Sequence, residues 1–334
     1  MVNKKKITKN YFIIVALLIV LYAALEALVL TDVINRYYLG IVKMICINII
    51  LATSLNLVTG VLGQLVLGHA GFMAVGAYAA AMFSKYSTLA DVIKFPLALI
   101  VGGLVAGIFG IIIGIPALRL KGDYLAILTL GFGEIIRSLL EAFPLVGGAS
   151  GLKEIPKIEG FTPFFTVAVI SVVLLYTISI SRHGRAIMSI RENEIAAEAS
   201  GVNTVYYKML AFVIAAIFAG IAGGLYAHHI GMLQPAKFNF NYSVDILVMV
   251  VLGGMGSFTG AVCSATVLTI IPEFLRTFAS YRMLIYSIIL IAMMLFRPEG
   301  LLGRAEFSIA GILDKLKNGK SKKKDNSIKD GEDK

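Results

Sequence analysis

The chain has 334 residues, 58% of them hydrophobic and 15% charged, and carries a formal net charge of +10. A mean hydropathy of +0.86 excludes an ordinary soluble domain of this length and places the chain in a bilayer. The basic residues stand at the ends of apolar segments and in the C-terminal tail rather than along a groove with stacking aromatics, so membrane lipid, not nucleic acid, is their partner.

Apolar runs long enough to cross ~30 Å of hydrocarbon recur along the chain. The predicted spans are residues 11–30, 37–58, 64–83, 96–117, 124–143, 161–180 and 209–229, then two short segments either side of Gly253-Gly254-Met255-Gly256, and finally 282–296. The expected fold is all-α, a polytopic transmembrane helical bundle of about eight full spans plus a broken, glycine-interrupted pair. Residues 1–303 make up this membrane domain, and 304–334 form a basic, disordered tail. Lys4, Lys5, Lys6 and Lys9 before an apolar run resemble the start of a secretory signal. That run continues to Leu30 and leads directly into another span, which favours an uncleaved first helix.

Lysine and arginine bias puts the amino-terminal lysines, Arg119, Lys121, the loop at 181–208 and the tail on the cytoplasmic side of the cell membrane, with both termini cytoplasmic. Parity tests this. A single crossing over 244–271 would leave the basic tail outside, whereas two short segments with a break at Gly253, Gly254, Gly256 and Ser257 restore it. The alternative is one long tilted helix kinked at the glycines.

Small residues recur at a 4-3-4 spacing in Ala70, Ala74, Ala77, Ala81; in Gly103, Gly107, Gly110, Gly114; and in Ala216, Gly220, Gly223, Ala227. Such stripes let helix backbones approach closely in lipid, in a channel as well as in a transporter. Glu134 and Arg137, three apart within a span, share a face, and either pair structurally or border a solute path. Asn56, Gln64 and His69 gather near Gly60, Gly63 and Gly68; His69 is either a proton-relaying group or an interhelical hydrogen-bonding one. His228 and His229 read as interfacial anchors, and Cys46 and Cys263 as packing residues. No phosphate-binding loop, metal-ligand set or catalytic constellation is found in the sequence, so an ATP-driven process would need its ATPase on another chain.

The loop at 181–208 sets Arg182, Arg185, Arg191, Glu192, Glu194, Glu198 and Lys208 between two nearly uncharged apolar segments. Within it, Arg191-Glu192-Asn193-Glu194-Ile195-Ala196-Ala197-Glu198-Ala199-Ser200-Gly201 has a helix-forming core and a terminating glycine. Ala196, Ala197 and Ser200 offer a low-relief seat for a soluble protein; the plainer reading is a solvated connector.

This segment resembles the coupling loop of ABC-importer permeases, although the position of that motif's glutamate holds Ile195, with Glu194 one residue early. Further runs narrow the likeness. Leu55-Asn56-Leu57, Gly63-Gln64, Leu67-Gly68-His69-Ala70, Gly76-Ala77-Tyr78, Gly122-Asp123-Tyr124-Leu125-Ala126-Ile127 and Gly133-Glu134-Ile135-Ile136-Arg137 resemble the branched-chain amino-acid permease family of LivM type. Gly147-Gly148, Gly151-Leu152, Gly184-Arg185-Ala186, Val250-Val251-Leu252-Gly253-Gly254-Met255-Gly256-Ser257 and Arg297-Pro298-Glu299-Gly300-Leu301 extend the resemblance from the second predicted span to Gly303.

The resemblance implies a heterodimer with a second related permease subunit, two cytoplasmic ABC ATPase subunits that use ATP, and an extracytoplasmic substrate-binding protein. This chain itself would bind no cofactor. Arg191, Glu192, Asn193, Glu194, Ala196, Ala197, Glu198 and Gly201 would couple to the ATPases. Asn56, Gln64, His69, Glu134, Arg137, Gly253, Gly254, Gly256 and Ser257 are the candidates for the translocation path. Within that class, urea and short amides are alternative solutes to leucine, isoleucine and valine. Outside it stand an ATP-independent channel or ion-coupled carrier, and a scaffold whose tail binds lipid.

Overall fold

The computed structural model describes residues 35–120 and 122–275, with the isolated positions 20, 22–23, 26, 284–285, 287–288, 291, 295–296, 300 and 303. The expected spans at 11–30 and 282–296 fall largely outside these residues, and the tail at 304–334 entirely so.

The described residues are helical and contain no strand beyond the isolated bridge of Leu152 with Leu233. In chain order the helices are α1 Arg36–Asn56, a π-helical continuation Leu57–Leu62, α2 His69–Tyr86, α3 Asp91–Ala117, α4 Asp123–Ala142 and α5 Thr162–Ile180. Next come α6 Arg182–Glu192, α7 Glu194–Ala199, α8 Thr204–Ile230, α9 Phe240–Gly253 and α10 Phe258–Phe274. Among the described residues, four stretches are long and apolar enough to cross a membrane: Arg36–Leu62, Val92–Ala117, Thr162–Ile180 and Thr204–Ile230. Two further long helices fall short of that standard. α4 carries four charges, and α2 is built largely from alanine and glycine.

The small-residue stripes bring α2, α3 and α8 together. A Cβ on Gly76 would overlap the backbone of Gly220, one on Gly223 would strike the backbone of Met73 and Ala77, and one on Gly110 would lie 2.8 Å from the Ala216 methyl. Without side chains at these crossings the backbones approach closely and gain dispersion contacts that lipid cannot supply. The stripe at Gly103, Gly107, Gly110 and Gly114 faces α8 along its length, meeting Ile221, Ile217, Ala216 and Met209 in turn.

Cross-links define two ends of the bundle. At one, the Lys43 ammonium donates to the carbonyls of Ile158 and Glu159, Ser84 Oγ lies 2.7 Å from His228 Nε2, and Ile158 N donates to His228 O. His228 is therefore buried and bridges α2 to α8 instead of anchoring at an interface. At the other, termed the loop end, α6 packs against the Leu57–Leu62 end of the first span and against α5 and α8, and α7 packs against α8.

The chain does break between α9 and α10. Ser264 Oγ donates to Met249 O, and Gly253 packs on Gly260, so the two helices run back alongside each other as an antiparallel hairpin instead of one kinked rod. Gly254 and Gly256, at φ +105° and +96°, make the turn, and Ser257 caps α10 by accepting from Gly260 N at 3.1 Å. The turn reaches Asn56 and Gly60, near the loop end of Arg36–Leu62, not the middle of the bundle.

The break deeper in the bundle lies elsewhere. The span expected at 64–83 becomes helical only at His69, because Gly63 (φ +79°) ends the π-helix and residues 63–68 run as non-helical chain.

Candidate functional site

The loop expected to hold one short helix holds two. Ser181 Oγ accepts from Gly184 N to start α6, and Asn193 Oδ1 accepts from Ala196 N at 3.0 Å to start α7. Asn193 is thus an N-cap that divides the segment. Gly201 (φ +85°) ends it, with Gly201 N bonded to Glu198 O and Val202 N to Ala197 O.

Two polar anchors flank the division. Arg191 Nη1 donates to the carbonyl oxygen of Gly60, and Lys208 Nζ stands 2.8 Å from Glu194 Oε1. Ala197 is buried by this arrangement and cannot belong to an outward seat, contrary to the expectation from sequence. The outward face of α7 carries Ile195, 79% exposed, with Ala196, Glu198, Ala199 and Ser200. Glu192 is also exposed.

Asn56 and Gly256 join Arg191 at the loop end. Asn56 is fully buried, and its Oδ1 accepts from Gly256 N at 2.9 Å. A Cβ on Gly60 would overlap both Asn56 Oδ1 and Gly256 N, one on Gly63 would lie 2.8 Å from Arg191 Cγ, and one on Gly256 would lie 3.1 Å from Arg191 Nη1. Gly300 and Gly303 close against Gly254 from the other side.

Glu134 and Arg137 form a second group, about halfway along α4. Arg137 bonds Glu134 through Nε at 2.7 Å and Glu141 through Nη1 at 2.6 Å. Glu134 Oε1 also accepts from Phe240 N at 3.0 Å, which puts a carboxylate on the N-terminus of α9. One turn further on, Ser243 Oγ accepts from Ala70 N at 3.1 Å, in the first turn of α2. Two helices therefore begin beside α4 in the middle of the bundle, α2 after the non-helical 63–68 and α9 after the largely irregular 231–239. Gly68 packs on Thr129 and Gly71 on Gly133, while Gly131 has nothing within 4 Å of where a Cβ would stand.

His69 joins neither group; its Nε2 is 2.9 Å from Ser54 Oγ in the fully packed core, an interhelical hydrogen bond. Gln64 Oε1 is buried and has no hydrogen-bond partner among the described residues.

The family described as branched-chain amino acid transport system / permease component matches residues 37–297. The chain belongs to that family. The permease protein LivM of Salmonella typhimurium is 39% identical over 324 residues, covering 86% of this chain and 74% of its own. LivM of Escherichia coli has the same identity and coverage. LivH of Escherichia coli, another branched-chain amino acid permease protein, is 34% identical over 128 residues, 38% of this chain and 41% of its own. As a branched-chain amino acid permease component, the chain is a multi-pass membrane transport subunit and not itself an enzyme.

For this permease component the structure adds residues that the sequence reading passed over. Asp245 lies inside the apolar α9 with an exposed side chain, one turn from exposed Asn241 on the same face. A lone acid in an apolar run is the signal that would have found it. Ile195, a departure from the coupling motif, is the most exposed large apolar side chain of the loop.

Proposed function

We propose that this chain is the membrane subunit of an ATP-driven importer that carries branched-chain amino acids into the cell as one half of a permease heterodimer. The match of residues 37–297 to the permease family carries this reading. The loop end faces the cytoplasm, as do both chain termini, and an extracytoplasmic binding protein delivers substrate to the far end. Of two ATPase subunits that hydrolyse ATP, one seats on α6 and α7, with Ile195 as the apolar knob and Glu192, Asn193, Ala196, Glu198 and Gly201 around it. An exposed isoleucine ringed by polar groups suits a protein partner better than water.

Substrate passes where α2 and α9 begin. Non-helical backbone inside a membrane bundle is tolerated where it is packed on protein or borders an aqueous path, and helix N-termini there favour a carboxylate. Glu134 already occupies the N-terminus of α9, so a zwitterionic amino acid would meet the Arg137 side of the Glu134–Arg137 pair with its carboxylate and Asp245 with its ammonium.

The test is reconstitution of the chain with its co-purifying partners in proteoliposomes. Uptake of labelled leucine, isoleucine or valine should require ATP, the ATPases and the binding protein. Uptake by the chain alone without ATP would instead establish a carrier or channel.

A further inference from the structure

We propose that Arg191, acting through Gly60 and Asn56, is the positioning residue that delivers movement of the cytoplasmic helices to the tip of the α9–α10 hairpin. The inference rests on the importer reading above and goes beyond docking of the ATPases, because it concerns what happens on the membrane side of α6.

The connection is short and polar throughout. Arg191 ends α6, and its guanidinium donates to Gly60 O, one of the carbonyls that the end of the Leu57–Leu62 π-helix leaves without an intrahelical partner. A cation at that C-terminus is also favoured by the helix dipole. The arginine stem lies along Gly63, where a Cβ would stand 2.8 Å from Cγ. Asn56, one turn before Gly60, then receives Gly256 N from the hairpin turn. Glycine at positions 60 and 256 permits this contact, since a Cβ on Gly60 would occupy the space of Asn56 Oδ1 and Gly256 N. The tip is thus tied to the loop by hydrogen bonds through Gly60 and Asn56, beside the packing that buries Leu252 and Phe258.

The stretch that carries the knot is incompletely satisfied. Asn56 Nδ2, Thr59 Oγ1 and Gln64 Oε1 are buried without a hydrogen-bond partner among the described residues, all within nine positions that include the π-helix. Leaving such groups unpaired is unfavourable. π-Helical turns concentrate at functional sites. Unspent donors and acceptors beside a wide helical turn are what a segment with a second bonding arrangement within reach would show.

At its other end α9 meets the mid-bundle groups. α9 runs fourteen residues from Phe240 to Gly253, about 20 Å of helix, and Phe240 N and Ser243 Oγ bond Glu134 and Ala70. Tip displacement therefore reaches the start of α2 through one rigid element.

The test uses the complete transporter, permease pair with ATPases and binding protein, in proteoliposomes, and reads substrate imported per ATP hydrolysed. Arg191→Met keeps the stem and removes the donor; the ratio should fall about tenfold, within the range of usual coupling free energies. Arg191→Lys, which restores a cation within reach of Gly60 O, should recover most of it. Asn56→Ala, which leaves the arginine in place, should lower the ratio similarly, and the double variant with Arg191→Met should fall no further.

A wild-type ratio in both single variants overturns the inference. So does loss of the ATPases from purified Arg191→Met, which would make the arginine a docking residue. If Arg191→Met does not accumulate in the membrane, Asn56→Ala decides alone: a lowered ratio supports the linkage and a normal one overturns it. Absence of ATP-dependent uptake by the wild-type complex would instead remove the importer reading itself.

Discussion

Replacing Glu194 by glutamine should cost more stability than replacing its partner Lys208 by methionine, although each removes the same ion pair. The two groups lie 2.8 Å apart, with side chains 30% and 5% exposed. Glu194→Gln leaves an ammonium buried beside a neutral amide, and breaking a buried pair in that way costs about 3–5 kcal/mol. Solvent reaches the Glu194 side, which lowers the expected cost to about 2 kcal/mol. Lys208→Met keeps the apolar stem and leaves a carboxylate that water already serves, for about 1 kcal/mol or less. The double variant should return to within about 1 kcal/mol of the parent, since no charge is left buried. Membrane proteins of this size often unfold irreversibly, so the ordering of thermal midpoints at one scan rate is the proper readout. A Lys208→Met midpoint below that of Glu194→Gln would refute the reasoning, because attraction and not desolvation would then dominate the pair.

Gly201→Ala meets no atom within 4 Å and should suffer only the left-handed backbone cost of about 1 kcal/mol, with Gly201→Asn milder and Gly201→Val worse. ATP-driven uptake by the assembled transporter should follow that order. Gly76→Val drives a side chain into the Gly220 backbone, and the yield of monodisperse protein after detergent extraction should collapse, whereas Gly131→Ala, with open space at its Cβ, should extract normally. Asp245→Asn should lower uptake of labelled leucine several-fold while leaving extracted yield unchanged; unaffected uptake would remove Asp245 from the path.

Local pattern carried some of this architecture in the sequence and none of the long-range contacts. The 4-3-4 spacing at Gly103, Gly107, Gly110 and Gly114 marks a face that meets α8, because spacing of that kind is set by the helix repeat alone. The break at Gly253 to Ser257 was legible from glycine and charge parity, but its depth was not; depth follows from Asn56, 200 positions away. The start of α2 at His69 was hidden for a similar reason. Residues 64–68 are mostly apolar and read as membrane helix, while Gly63 turns left-handed and Ala70 N finds its acceptor on Ser243. Asn193 looked like one residue of a continuous helix, yet its side chain caps the next one. Ala197 turned inward because Glu194, one turn earlier, is drawn to Lys208.

Among the described residues α9 touches both candidate regions, and its length explains why they can act together. A full-length crossing would hold one end at each surface and would be fixed there by its interfacial side chains. α9 instead starts against Glu134 and Ala70 and ends against Asn56 and Gly60, with polar or glycine partners at both termini and Ile246, Val250 and Leu252 buried between them. Packing on α10 through Gly253, Gly260 and Ser264 keeps the hairpin intact. Substrate arriving beside Glu134 and nucleotide acting beneath Arg191 would then bias the same element from opposite ends, which is the condition for reciprocal coupling between a transport path and its ATPases.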